Sequence, residues 1–196
     1  MCSRYEINNS VDEVTLRFDL LEPPAFMPAP EVRPTNRVPV INQDRHAVML
    51  RWGLENSWDN KPLINARAET LAEKKSFIPL LENRCLIPAS GYFEWRRENA
   101  GKVKTRLKPL SGGMIGFAGL FDGDRFTIIT CAPSPSIQHI HGRMPVILER
   151  QLEADWLDPN NSYRDVVDLL ATHPDGLLEF EDADPPKPQK DLFDET

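Results

Sequence analysis

MIGFAGLFDGDRFTIITCA, residues 114–132, decides the fold. Two apolar, β-branched runs flank the turn-forming FDGDRF, so the segment predicts a β-hairpin turning around Asp122 and Gly123. Working outward, RCLIPASGYFEWRR (84–97), KVKTRLKPL (102–110) and MPVILE (144–149) read as further strands. RVPVINQ (37–43), AVMLRWGL (47–54), the opening MCSRYEI and GLLEF (176–180) read the same way. Helices are fewer. SVDEVTLRFDLL (10–21) has Ser10 and Glu13 in capping-box spacing, and LEADWL and YRDVVDLLA suggest two more. NARAETLAEKKSFIPLLENR (65–84) places Thr70 and Glu73 in the same spacing, which predicts a helix with Asn65 and Arg67 at or before its start. Prolines 23, 24, 28, 30 and 34 predict an irregular segment. Many strands with helices at the edges make the fold class α+β.

The 196 residues, 40% hydrophobic and 27% charged, suit one globular domain over residues 1–180 with an acidic, proline-rich tail, EDADPPKPQKDLFDET, at 181–196. No run reaches the roughly 18 apolar residues of a membrane span, and the start lacks a signal-peptide pattern, so a cytoplasmic protein is expected. Cys2, Cys85 and Cys131 have neither disulfide-framework nor zinc-ligand spacing. No metal or cofactor is expected. The net charge of −7 is uneven: residues 149–196 hold 4 of the 23 Lys/Arg and 14 of the 30 Asp/Glu, net −10, leaving +3 on residues 1–148. Such a body is compatible with a local phosphate-binding groove.

Cys2 follows Met1, and removal of Met1 would leave an α-amine beside a thiol, a 1,2-aminothiol. The amine titrates near 7.7–8.0 and the thiol near roughly 8.5 when unperturbed, so both nucleophiles are accessible near neutrality. Together they can close on one aldehyde carbon as a five-membered thiazolidine. Three more places stand out: Asn65 in INARAET, Glu94 in GYFEW and His141 in HGRMP. Singly they are also explained as a helix cap, a half-solvated strand residue and a loop histidine.

The order and wording of MCSRY, RPTNRVPVI, RWGL, INARAET, RCLIPASGYFEW, FTIIT and HGRMPVIL resemble the SRAP (SOS response-associated peptidase) family of abasic-site processing proteins, from Cys2 to about Leu157. Departures are Ser3 for the usual Gly, Gly142 for a common Asp, Tyr92–Phe93 in reversed order, and Glu55–Asn56–Ser57 in place of Ile–Pro after RWGL. The resemblance implies a single SRAP-like domain with a mixed, largely antiparallel sheet or barrel-like core and peripheral helices. It also implies DNA repair chemistry in the SOS response: covalent trapping of the ring-opened abasic aldehyde in single-stranded DNA as a thiazolidine DNA–protein crosslink. On that basis Cys2 is the nucleophile, Glu94 transfers protons at the amine and imine, His141 protonates the sugar oxygen, and Asn65 positions the amine or sugar.

Arg4, Arg67 and Arg143 each lie two residues from one of these positions, and are expected at the flanking phosphates. Trp52 and Trp95 are candidates for stacking on unpaired bases, with core packing the alternative and the stronger reading for Trp58. QKDLF, with Gln189, Leu192 and Phe193, resembles peptides that bind the bacterial sliding clamp, presented on the leash PPKPQ. A monomer associated with the nucleoid is expected. Other readings are a cysteine-type autopeptidase (a thiol protease, hence a hydrolase) removing Met1, and a non-catalytic reader of modified DNA. A Schiff base at C1′ also makes a lyase outcome, β-elimination of the 3′ phosphate, chemically available.

Overall fold

The hairpin closes as expected, with Asp122 opposite Arg125 and Gly123 in the left-handed region at φ 55°. Such a backbone suits glycine, which has no Cβ to clash. The computed structural model describes residues 2–56, 58–99, 101–171 and 175–183; Gln189, Leu192 and Phe193 of the tail motif lie outside them.

In chain order, β1 (Arg4–Ile7) leads through α1 (Val11–Phe18) to β2 (Ala29–Val32), β3 (Arg37–Ile41) and β4 (Ala47–Trp52). Next come β5 (Asn65–Arg67), 3-10 turns at Ala68–Glu73 and Ile78–Leu80, β6 (Arg84–Ala89), β7 (Gly91–Glu98) and β8 (Gly101–Pro109). The hairpin strands are β9 (Ile115–Asp122) and β10 (Arg125–Cys131). After them come β11 (Met144–Pro145), β12 (Ile147–Leu148), α2 (Glu153–Leu157), α3 (Tyr163–Val166) and β13 (Leu178–Asp182).

Strands β10, β4, β3, β6 and β9 pair in a closed ring, because β10 bonds to β4 on one edge and to β9 on the other. Closure leaves no free edge within the ring. Its pairings are antiparallel except β4–β10, and β5 continues that parallel edge, with Asn65 opposite Ile128. A second, antiparallel sheet runs β13-β8-β7-β1-β2. An aromatic cluster joins the two layers. Tyr5 of β1 meets Trp52 and Phe117 edge-on at 5.2 and 6.0 Å between centroids, and Tyr92 of β7 meets Phe117 at 6.1 Å. Packing at the hairpin is tight enough that a Cβ on Gly119 would lie 2.7 Å from the Thr127 carbonyl oxygen, so only glycine fits.

The α+β architecture and barrel-like core agree with the sequence reading, and α1 has the expected capping box at Ser10 and Glu13. Residues 65–84 correct it. Asn65–Arg67 is a strand, and the turns that follow are 3-10 segments broken at Lys74, which is extended. Parallel pairing with β10 overrides the local helical pattern, and Pro79 prevents one continuous α-helix through this stretch. The proline-rich stretch also contributes an edge strand, β2, and β13 carries the second sheet through Asp182.

One buried cation clamps the C-terminal helices to the barrel. Arg84, fully enclosed at the start of β6, donates to the carbonyls of Trp156 (2.7 Å), Asp158 (2.8 Å) and Asn161 (2.6 Å) and pairs with Glu82. Removing it strands several acceptors at once. Arg84→Ala is expected to cost about 3–5 kcal/mol in chemical denaturation. Arg84→Lys should recover only part of that, because an ammonium lacks the planar fork.

Candidate active site

Cys2 is fully buried at the foot of β1, and its backbone carbonyl accepts a hydrogen bond from Asn65 Nδ2 at 2.8 Å. The Cys2 Sγ faces the Arg4 carbonyl at 3.5 Å. Burial, and after it the negative charge of Glu94, push the thiol well above its ordinary range, so the sulfur stays protonated. Asn65 is fixed by β5, whose pairing with β10 sets the direction of its side chain. Its Oδ1 is buried with no hydrogen-bond partner among the described residues, leaving an acceptor beside Cys2.

Glu94 comes from β7, opposite Thr105 of β8, and is 3% exposed. Desolvation pushes its carboxyl up to about 7. His141 Nε2 stands 3.8 Å from Glu94 Oε2, too far for a direct hydrogen bond. Burial lowers the imidazole below its ordinary range, so it is neutral at pH 7. Its Nδ1 lies 3.1 Å from the Arg143 backbone nitrogen. Nδ1 also lies 3.2 Å from the Arg143 carbonyl oxygen, so accepting from the N–H puts the ring proton on Nε2, toward Glu94, and donating to the carbonyl puts it on Nδ1. The loop bearing His141 is anchored by β11, where Met144 pairs with Cys131 and Pro145 with Thr130.

Four separated stretches of chain therefore supply one set of groups: Cys2 and Asn65 in contact, and Glu94 and His141 facing each other with Glu94 acting on the Cys2 thiol. Tyr5 and Tyr92 complete the floor. They sit directly opposite each other on β1 and β7, and both hydroxyls are buried without a hydrogen-bond partner among the described residues. The sequence reading passed over them, although Tyr92 lies two places before Glu94 and so on the same strand face. No cluster of three or more His, Cys, Asp or Glu among the described residues could hold a metal ion. A groove of about 870 Å³ lies elsewhere, between Leu110–Ile115 and Leu177–Leu178.

The arginines are placed differently from one another. Arg67 is exposed at the end of β5, and no ion pair holds it among the described residues. Arg143 reaches the Thr130 carbonyl and forms a two-pronged pair with Glu69 at 2.6 and 2.9 Å, whose hydrogen bonds hold the Glu69 carboxyl below its usual range. Arg4 pairs with Glu31 at 3.4 Å and donates to the Ser3 carbonyl. The tryptophans correct the sequence reading. Trp52 is fully enclosed, stacked on Phe126 at 6.4 Å with its indole N–H donated to Ile64, so it has no face for a base. Trp58, read as core, is 75% exposed on the loop leading into β5. Trp95 is partly exposed on the face of β7 away from Glu94.

Comparison with known proteins places these features in a family. The family model for SRAP, "SOS response associated peptidase", matches residues 1–184. The abasic site processing protein YoqW of Bacillus subtilis is 36% identical over 195 residues, covering 87% of this chain and 86% of that protein. The abasic site processing protein YedK of Escherichia coli is 28% identical over 191 residues, covering 88% and 86%. Among solved structures, a protein from Bacteroides thetaiotaomicron superposes with TM-score 0.81 at 26% identity, covering 92% of this chain and 91% of that one. One from Bordetella bronchiseptica gives 0.82 at 25%, covering 94% and 100%. With the match spanning the barrel, the second sheet and all four converging positions, this chain belongs to the SRAP family.

Proposed function

We propose that this protein processes abasic sites in single-stranded DNA by trapping the ring-opened sugar aldehyde on Cys2 as a thiazolidine, after removal of Met1. The observation that carries the reading is the Asn65 hydrogen bond to the Cys2 carbonyl beside an acceptor-bearing Asn65 Oδ1 and a carboxyl with a pKa of about 7. Names of relatives agree with it: YoqW and YedK are abasic site processing proteins.

The chemistry proceeds without a net change of charge. The Cys2 amine adds its lone pair to C1′, forming a C–N bond while the carbonyl oxygen takes up a proton. Loss of that oxygen as water gives the imine. The thiol sulfur then adds to the imine carbon, its proton passes to nitrogen, and the ring closes. One water is released overall. A thiol held protonated by burial suits this last step, because thiol and imine combine as neutral species in a site that disfavours charge. It suits a thiolate-led peptidase less well. Glu94 deprotonates the ammonium and returns a proton at the carbinolamine, work that fits a pKa near the working pH. In the tautomer that accepts the Arg143 N–H, neutral His141 donates from Nε2 to the sugar oxygen during opening. Exposed Arg67 meets a flanking phosphate and exposed Trp58 offers a ring face to an unpaired base. The tail motif 189–193 is a separate proposal, docking to the sliding clamp.

Intact mass after incubation with an abasic-site oligonucleotide should show loss of the Met1 mass and a stable adduct, absent in Cys2→Ala. A processed terminus with no adduct would reject the trap, and retained Met1 in Cys2→Ala alone would favour the autopeptidase. For Glu94→Gln, crosslinking should fall by about 10²–10⁴-fold at pH 7. The wild-type rate should rise as pH increases through about 7, where the carboxyl becomes a base, and this limb should vanish in the variant. Stability should move the other way. A carboxyl raised from about 4.3 unfolded to about 7 folded stabilises fully below pH 4.3, and that contribution, on the order of 3 kcal/mol, is lost as pH rises to 7. Glu94→Gln should therefore melt higher than wild type at pH 8 and lose the slope between pH 4.5 and 7. Deleting residues 188–196 should lower retention on clamp-coated beads; equal retention would reject clamp docking.

A further inference from the structure

Strand β13 lies at the edge of the second sheet, and three of its five residues are acidic. Its register with β8 sets Asp182 opposite Thr105, which is itself opposite Glu94, so Asp182 sits in the same row as Glu94 two strands away. At about 4.8 Å per strand, that is roughly 10 Å from Glu94. Side chains of β13 divide between the two faces. Phe180 and Asp182 turn to the side of Glu94: the Phe180 ring meets His139 edge-on at 5.2 Å, two residues from His141, and Asp182 Oδ1 pairs with Arg96 Nη2 at 2.9 Å. Glu179 and Glu181 turn to the other side, where Glu181 pairs with Arg106 at 2.9 Å and both approach Lys108.

Arg96 is two places after Glu94 on β7 and therefore on its face. Its side chain is 17% exposed and passes over the Phe180 ring at 6.0 Å, and Glu98 Oε1 accepts from Nε at 3.1 Å and from Nη2 at 2.7 Å. Its carboxylate partners are not shielded: Asp182 is 52% exposed and Glu98 47%. Half-exposed ion pairs contribute little net stability, and a released carboxylate rehydrates at low cost. The guanidinium is thus held on the Glu94 face of the sheet, while both anions on it are half-exposed and loosely held.

We propose that Arg96 is a phosphate-binding residue for the DNA strand at this site, and that Asp182 is a built-in competitor on its Nη2, sharing the guanidinium with Glu98 until a phosphodiester displaces it. This rests on the reading of the site as one for single-stranded DNA. The exchange needs no movement of β13 itself, whose backbone stays paired to β8; only the Asp182 side chain lets go. The face of β13 on which a charge is removed then decides the effect. Asp182 suppresses binding, whereas Glu181, one residue away, does not, because it lies across the sheet with Arg106.

The test is fluorescence anisotropy of the full chain with a labelled single-stranded oligonucleotide carrying a tetrahydrofuran abasic analogue, which has no aldehyde and cannot crosslink. Asp182→Asn should bind about three- to tenfold tighter than wild type, with a salt slope steeper by about 0.7. Glu181→Gln, an equal change of charge, should shift affinity by less than about twofold. Arg96→Ala should bind more weakly, and Asp182→Asn added to it should restore nothing. Equal gains in Asp182→Asn and Glu181→Gln, a gain that survives Arg96→Ala, or no gain would each overturn the proposal. Melting temperatures within a few degrees of wild type exclude loss of fold as the cause. If wild type binds the analogue and crosslinks the true lesion while Asp182→Asn changes nothing, the competitor idea fails alone; if wild type does neither, the reading of the site fails with it.

Discussion

The hydrogen bond from the Asn65 amide to the Cys2 carbonyl is the joint on which this site depends. A chain end is ordinarily its least ordered part, because few contacts repay the entropy of fixing it. Here the first described residue is fully enclosed, and its immediate successors pair with β7 through Arg4, Tyr5 and Glu6. Asn65 belongs to the other layer, on the parallel edge of the barrel. The bond therefore ties the second sheet to the barrel at Cys2, the proposed nucleophile. Tyr5, packed between Trp52 and Phe117, makes the same connection with apolar surface.

Burial does chemical work at that joint. One desolvated environment raises both the Cys2 thiol and the Glu94 carboxyl and lowers His141. All three shifts favour neutral forms, and condensation of an amine, an aldehyde and a thiol is a sequence of neutral additions joined by proton transfers. Holding a desolvated acid in such a place opposes folding whenever the acid ionises. The closed ring of strands and the Arg84 clamp supply the surplus rigidity that allows it.

Much of this was legible in the sequence because it is local. The hairpin at 114–132 announces itself by a turn between two strand-forming runs, and α1 by Ser10 and Glu13 three residues apart. The four converging residues were legible through the wording of their motifs, which no periodicity could have supplied. What was hidden is non-local. Asn65–Arg67 looks like the start of a helix and becomes a strand only because β10 lies alongside it. Trp52 and Trp58 are the same residue type six places apart, yet one is enclosed and the other 75% exposed. The difference is set by barrel closure over Trp52, and nothing in either residue's immediate neighbours encodes it.

Electrostatics at the rim follow from the same geometry. On the proposed reading of the site as one for DNA, a protein of net charge −7 must avoid presenting its carboxylates to the strand. Here acidic side chains sit on the guanidiniums themselves: Glu69 on Arg143, Asp182 on Arg96 and Glu31 on Arg4. In the free protein such pairing satisfies fork donors that are too shielded for water to serve fully. An incoming phosphate then exchanges one anion for another, and the guanidinium keeps its coordination. The three pairs differ in how readily they exchange. Glu69 and Asp182 are about half exposed, at 51% and 52%, and can return to solvent. Glu31 is only 19% exposed and holds Arg4, Arg33 and Lys104 together, so releasing it would strand three cations to free one. Arg4, which also donates to the Ser3 carbonyl, is therefore better suited to bracing the segment that carries Cys2 than to meeting a phosphate, and the exchangeable charge belongs to Arg96 and Arg143 beside the exposed Arg67.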